Sequence, residues 1–153
     1  MSRADVPDRP TYGVPGGRLA MTLHHLGVAC VSIDTEGALL EAVGFVREGP
    51  DFEDPFQGVR GRFVVGAGVR LELLEELEGS SVLRSWLAQR TKVYHQAYLT
   101  YDLDGSLSGL VAGGAHAAKS PLPAVAFGGR RVAFAMLPNM MLVELVEAPR
   151  AGE

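Results

Sequence analysis

Two histidines and two glutamates recur at matched spacing, and they are residue types that hold divalent metals. His25 lies in HHLGVAC, which starts at His24, and precedes Glu72 of LELLE (71–75) by 47 residues. His95 lies in YHQAYLT, which starts at Tyr94, and precedes Glu144 of VELVE (143–147) by 49 residues. Like segments at nearly equal separation mark a duplicated module. Each copy offers one imidazole and one carboxylate, so a fold that brings the copies together assembles a two-His, two-Glu metal site from four strands. Two neutral imidazoles and two carboxylates balance a divalent ion and suit Co²⁺, Mn²⁺, Ni²⁺, Fe²⁺ or Zn²⁺. On a six-coordinate ion they leave two positions for water or for neighbouring substrate oxygens. A carbonyl held there has a more acidic adjacent C–H and a stabilised enolate, so the chemistry expected is proton transfer beside a carbonyl.

Taken singly, each residue has a plainer reading. A histidine in an apolar strand is usually a hydrogen-bonded core residue, and a strand glutamate usually faces solvent or an ion-pair partner. The matched spacing of His25, Glu72, His95 and Glu144 is what favours a site. Glu75 and Glu147, three residues further on in each copy, alternate to the opposite strand face and are expected to be solvated. His24 is likewise expected opposite His25, packing or hydrogen-bonding rather than ligating. His116 receives no role.

The elements that must position these residues follow from periodicity and turn chemistry. Residues 22–33 lack helical periodicity and read as a buried strand with Leu23, His25, Gly27 and Ala29 on one face, the small residues leaving room beside the histidine. Asp34-Thr35-Glu36 opens a short helix ending near Gly44. Phe45 to Arg47 is a candidate strand, and EGPDFEDPFQG (48–58), with two prolines and four acids, is expected to be a mobile surface loop. Residues 59–66 and 69–77 form a hairpin through Ala67-Gly68. SSVLRSWLAQR (80–90) has serine-start helical spacing and links the halves. Residues 93–103 read as a strand and Leu107 to Val111 as a short helix. PAVAFGG, RRVAFAML and MMLVELVEA supply three further strand candidates, with a turn at Pro138-Asn139. The domain expectation is a tail over 1–21 and one domain over 22–150, with module one at 22–78, the linker helix at 80–90 and module two at 92–148. The fold class is α+β, with two paired β-α-β-β-β modules whose curved mixed sheets surround a shared metal-binding cavity.

The bulk properties narrow the function. The 153-residue chain carries 14 Lys and Arg against 18 Asp and Glu, a net charge of −4, which argues against nucleic acid as a partner. It contains 19 glycines and is turn-rich, and its mean hydropathy is +0.13. The first twenty residues hold charges, prolines and glycines but no apolar run suited to a secretion signal or a membrane span, so a cytoplasmic protein without membrane attachment is expected. Cys30, the one cysteine, excludes an intrachain disulfide, fits a reducing compartment and is expected to be a buried core residue.

The ordered set HHLGVAC, VRLELLEEL, YHQAYLTYDL and MMLVELVEA resembles the vicinal oxygen chelate superfamily, and within it the methylmalonyl-CoA epimerase branch. The likeness runs from about Leu23 to Glu147. QGV (57–59), the helix segment after LELLE, and FGGRRVAF followed by a turn and LVEL favour that branch over glyoxalase I. The resemblance implies a divalent metal on His25, Glu72, His95 and Glu144, with Glu144 as a catalytic base. It further implies an acyl-CoA or carrier-protein thioester as substrate, with Arg130, Arg131 and Lys119 near CoA phosphates, and a homodimer. Gly61 falls where it implies a second, acidic base. A glycine transfers no proton, which leaves substitution by a residue such as Glu53, a one-base reaction, or another superfamily activity. Those activities include a lyase, an Fe(II) oxygenase using His25, His95 and Glu144, or ligand binding without turnover.

Overall fold

A computed structural model of the protein describes residues 21–152. The expected tail lies almost wholly outside the described residues. Among them are nine strands and three helices: β1 (Met21–Ala29), α1 (Ile33–Glu41), β2 (Val46–Asp54), β3 (Val59–Gly66), β4 (Val69–Glu76), α2 (Arg84–Ala88), β5 (Val93–Thr100), α3 (Leu103–Ala112), β6 (His116–Ala117), β7 (Leu122–Pro123), β8 (Arg131–Met136) and β9 (Leu142–Glu147). A 3-10 turn, Val125–Phe127, separates β7 from β8. The class is α+β, as expected. The modules join edge to edge through antiparallel β1–β5 pairing, so their strands make one mixed, curved, unclosed sheet ordered β2-β3-β4-β1-β5-β9-β8-β6, with β7 also on β8.

Alternation along the strands divides the core between two sheet faces. Leu71 and Leu73 of β4 pack with Val28, Cys30 and Ile33 on the α1 side. Val143 and Leu145 of β9 pack with Leu103 and Ala133 on the α3 side. Glu72 and Glu144 therefore point to the other face, where Ala97, Phe127, Val132 and Val146 are clustered. Leu83, just before α2, closes one end of that face against Ala29, Val59 and Leu74. Ser32 caps α1 by accepting from the Thr35 N–H at 3.3 Å, and Asp34 and Glu36 lie in its first turn, where the helix dipole favours negative charge. The β3–β4 hairpin turns through Ala67 (φ 51°) and Gly68 (φ 78°), the paired positive angles of a two-residue turn matched to strand twist.

The linker helix expected over 80–90 with a serine start is shorter, Arg84–Ala88, with Leu83 at its N-cap, and α3 begins at Leu103, where the strand expected over 93–103 has already ended at Thr100. Two further elements differ in kind. The acidic segment 48–58 is not a loop over most of its length, because β2 runs to Asp54 on the sheet edge with a register shift between Glu48 and Phe52 that accommodates Gly49-Pro50. Two of its acids, Glu48 and Asp51, are paired in place with arginines. Arg62 donates to Asp51 at 2.8 and 2.7 Å and to Asp34 at 2.6 Å, and Arg60 reaches Asp51 and Glu75, each at 3.1 Å. PAVAFGG is not a full strand either. Gly128 (φ 62°) and Gly129 (φ 84°) turn the chain sharply, leaving only β7 and the 3-10 turn.

That turn is tied to module one by Asp54. Its buried carboxylate accepts from the backbone N–H groups of Phe56, Gln57 and Val125, each at 3.1 Å. Removing it orphans three donors from two distant segments. Asp54→Ala is expected to lower unfolding free energy by about 3 kcal/mol, measured by urea denaturation. A change of less than about 0.5 kcal/mol would mean that solvent replaces the tie.

Candidate metal centre

β1, β4, β5 and β9 are adjacent in the sheet, and this adjacency collects the four predicted residues. His25, Glu72, His95 and Glu144 are all buried, and one ligand atom from each lies within 4.8 Å of all the others. His25 Nε2 is 3.0 Å from Glu72 Oε2, 3.2 Å from Glu144 Oε2 and 3.1 Å from His95 Nε2. His95 Nε2 is 3.0 Å from Glu144 Oε2 and 3.5 Å from Glu72 Oε2. A first-row divalent ion sits about 2.0–2.2 Å from nitrogen and oxygen ligands, so neighbouring ligands at right angles are about 3 Å apart. The donor set fits such an ion in type, charge and spacing. Glu144 Oε2 receives no aligned hydrogen bond although both imidazole nitrogens adjoin it, and His95 Nδ1 is buried without a partner.

The backbone makes room for this convergence. Gly27 pairs with His95 across β1 and β5, and a Cβ there would meet the His95 ring at 2.0–2.4 Å. The ring can occupy the site only because residue 27 has no side chain. Two register shifts flank that pair. Leu23 lies opposite Tyr98 and His25 opposite Ala97, which leaves His24 extra on β1; Gly27 lies opposite His95 and Val28 opposite Val93, which leaves Tyr94 extra on β5. Each β-bulge sits beside a candidate ligand.

The first bulge corrects the expected face assignment. Leu23 is 52% exposed, while His24 shares the face of His25: both rings pack against Phe63 and Phe127, and their Nδ1 atoms are 2.8 Å apart. Tyr94 likewise meets the His95 ring edge-on at 4.5 Å, and Phe134 meets it at 5.5 Å. The tandem HH pair was the available signal for His24, but alternation alone placed it outside. Glu75 and Glu147 do take the opposite face, yet they are ion-paired rather than simply solvated, with Arg60 and Arg131 respectively. His116 is exposed on β6.

Gly61 also lies on the site face, and Phe52 fills its side-chain space: a Cβ at residue 61 would meet the Phe52 ring at 2.1–2.7 Å. Phe52 is 5.8 Å from Phe63, which borders His25. Glu53 is exposed on the edge strand, alternate to Phe52. Arg130 donates to the carbonyls of Phe127 and Glu147, and Arg131 is bound to Glu147 and Asp104, so both have intramolecular partners. Lys119 is exposed.

Burial opposes charge on His25, but Glu72 and Glu144 outweigh it and raise its pKa to about 9. Burial also opposes charge on Glu72, yet the two imidazoles hold it at about 2. His95 is raised and Glu144 lowered by the same opposition of burial and partners. Burial, followed by the neighbouring His25 and Arg70, lowers His24 to about 3 and keeps it neutral.

A model of the glyoxalase/bleomycin resistance protein/dioxygenase superfamily matches residues 24–134. No curated protein matches the sequence. Among solved structures, a hypothetical protein from Bacillus halodurans C-125 is similar with TM-score 0.72 at 24% identity, over 88% of this chain and 99% of that one. Methylmalonyl-CoA epimerase from Mycobacterium tuberculosis gives 0.69 at 25% identity, over 83% and 88%. A variant of the Streptomyces coelicolor epimerase in complex with 2-nitronate-propionyl-CoA gives 0.68 at 27% identity, over 84% and 97%.

The ionisation pattern sets a pH signature for metal-free protein. The His25 contribution to stability is complete below pH 6.5 and is lost as pH rises through about 9; that of Glu72 is complete above pH 4.5 and is lost as pH falls through about 2. Thermal unfolding of the metal-free protein should therefore show a Tm that declines from pH 6.5 towards 9. Since an ion must displace the imidazole protons, Co²⁺ affinity should rise over the same interval. A flat Tm together with pH-independent Co²⁺ binding would contradict the ionisation described.

Proposed function

This chain belongs to the glyoxalase/bleomycin resistance protein/dioxygenase superfamily, and we propose that within it the protein is a metal-dependent isomerase acting on an acyl thioester. The convergence of two buried imidazoles and two buried carboxylates on one point carries the reading. His25, Glu72, His95 and Glu144 would hold the divalent ion. When bound, it supplies Lewis acidity, polarising a substrate carbonyl and stabilising negative charge that develops as the neighbouring C–H loses its proton. The Glu144 carboxylate, buried and accepting no aligned hydrogen bond at Oε2, is the proposed base. Phe63, Phe127 and Phe134 pack against the histidines and keep the reacting atoms away from bulk water, which strengthens the electrostatic interactions of the site.

The thioester class is supported by similar epimerases seen with 2-nitronate-propionyl-CoA and with methylmalonyl-CoA. The proposed unit is one domain over 22–150, assembled as a cytoplasmic homodimer; no helix among the described residues is long and apolar enough to cross a membrane. CoA itself would have to draw Arg130 or Arg131 from its intramolecular partners, or use Lys119. A second reading is favoured by one observation: the Phe52 ring occupies the place of a Gly61 side chain, where the resemblance implies the second base. One base suffices for proton exchange, and also for lyase chemistry on another carbonyl substrate. An Fe(II) oxygenase would use His25, His95 and Glu144.

Metal-loaded protein should incorporate solvent deuterium at the α-carbon of methylmalonyl-CoA or another acyl-CoA faster than it inverts that carbon. Glu144→Gln, with metal content checked, should slow exchange by about 100-fold or more. Exchange strictly coupled to inversion would demand a second base that the Gly61 position lacks. Absence of exchange across an acyl-CoA panel, with the metal in place, would move the assignment to the second reading.

A further inference from the structure

The bulge at His24 does more than change a face. We propose that His24 is a positioning residue for the metal centre: its Nδ1 accepts a hydrogen bond from His25 Nδ1–H, fixing the His25 tautomer whose Nε2 lone pair faces the ion. This rests on the metal-site reading above. His25 Nε2 is the atom that converges with Glu72, Glu144 and His95, so a neutral, ligating His25 carries its proton on Nδ1. Among the described residues, the partner placed to receive that proton is His24 Nδ1, 2.8 Å away. Because Nδ1 of neutral His24 is then the acceptor, its own proton lies on Nε2.

Ligating histidines commonly donate their second N–H to a carboxylate, carbonyl or water. Here the partner is the preceding residue of the same strand, which regular alternation would place on the other face. The extra residue in β1 makes the contact possible, and edge-on packing on Phe127 at 5.5 Å and Phe63 at 6.1 Å holds the His24 ring. The equivalent bulge on β5 shows what the device is not. Tyr94 packs edge-on against His95 but gives no hydrogen bond to its Nδ1, which stays buried and unpartnered. The two histidines are thus held differently: His25 by a hydrogen bond from its side chain, His95 by the Gly27 cradle and surrounding rings.

The test is Co²⁺ titration of the full chain and two variants at one pH. His24→Phe keeps a ring against Phe63 and Phe127 but removes the acceptor. His24→Asn can return an acceptor at the Nδ1 position. Loss of this partner is expected to weaken Co²⁺ binding by about 10–100-fold in His24→Phe, with His24→Asn recovering most of it. Metal-free Tm and far-ultraviolet circular dichroism identify any loss caused by misfolding. Nitrogen-15 spectra of the zinc-loaded protein, read independently of either variant, should show His25 protonated at Nδ1 and His24 at Nε2. Tight binding by the unaltered protein with His24→Phe equally tight, or a His24 protonated at Nδ1, would overturn the proposal while leaving the metal reading intact. Failure of the unaltered chain to bind Co²⁺ or Zn²⁺ would overturn both.

Discussion

Two carboxylates buried beside each other must be compensated. Taking one ion from water into a protein interior costs several kcal/mol, and Glu72 and Glu144 share a buried cluster. Among the described residues, the basic groups within ion-pair distance of their oxygens are His25 and His95, and these can compensate as imidazolium ions or by sharing a divalent metal. In either case four side chains from four strands must stay together, each carboxylate within about 3.5 Å of both imidazoles. The arrangement of the sheet follows from that requirement: β4 and β9 flank the central β1–β5 pair, and each module delivers its carboxylate next to the other module's imidazole as well as its own.

The same constraint explains the irregularities. A regular β1–β5 ladder would alternate residues 24 and 25 to opposite faces, as it would residues 94 and 95. Both bulges occur where a ligand precursor needs a neighbour on its own face, and they bracket Gly27, whose lack of a side chain admits the His95 ring. Asp54 extends the effect across the modules, holding the turn that carries Phe127 over His25. Local departures from ideal sheet geometry and the packing of distant segments therefore meet at one centre.

Much of this was legible in the residues. LEL and VEL alternate cleanly, so Glu72 and Glu144 could be assigned to the face opposite their aliphatic neighbours, and matched spacing tied each to a histidine. The Ala67-Gly68 hairpin was equally plain from its turn chemistry. The segment 48–58 was not, because proline, glycine and acids signal a loop unless their charges have partners, and Arg60 and Arg62 come from the next strand. The bulges were hidden for a different reason. An extra residue leaves no mark in composition, and its effect depends on pairing between strands 70 residues apart in sequence, such as His25 and His95.

Membership in a superfamily fits a cluster that could hold a metal but does not fix the reaction, because a metal-polarised carbonyl is a starting point shared by several chemistries. What separates them is the group that meets the substrate away from the ion. In this chain that neighbourhood is aromatic, with Phe52 over Gly61 and Phe63 and Phe127 beside the histidines. An aromatic ring can shape an acyl group and exclude water, but it cannot return a proton. On the proposed reading, the asymmetry between a carboxylate at residue 144 and a ring over residue 61 favours reactions in which the proton leaves and returns by one route, and the Phe52–Gly61 pair is where the resemblance to a two-base epimerase fails.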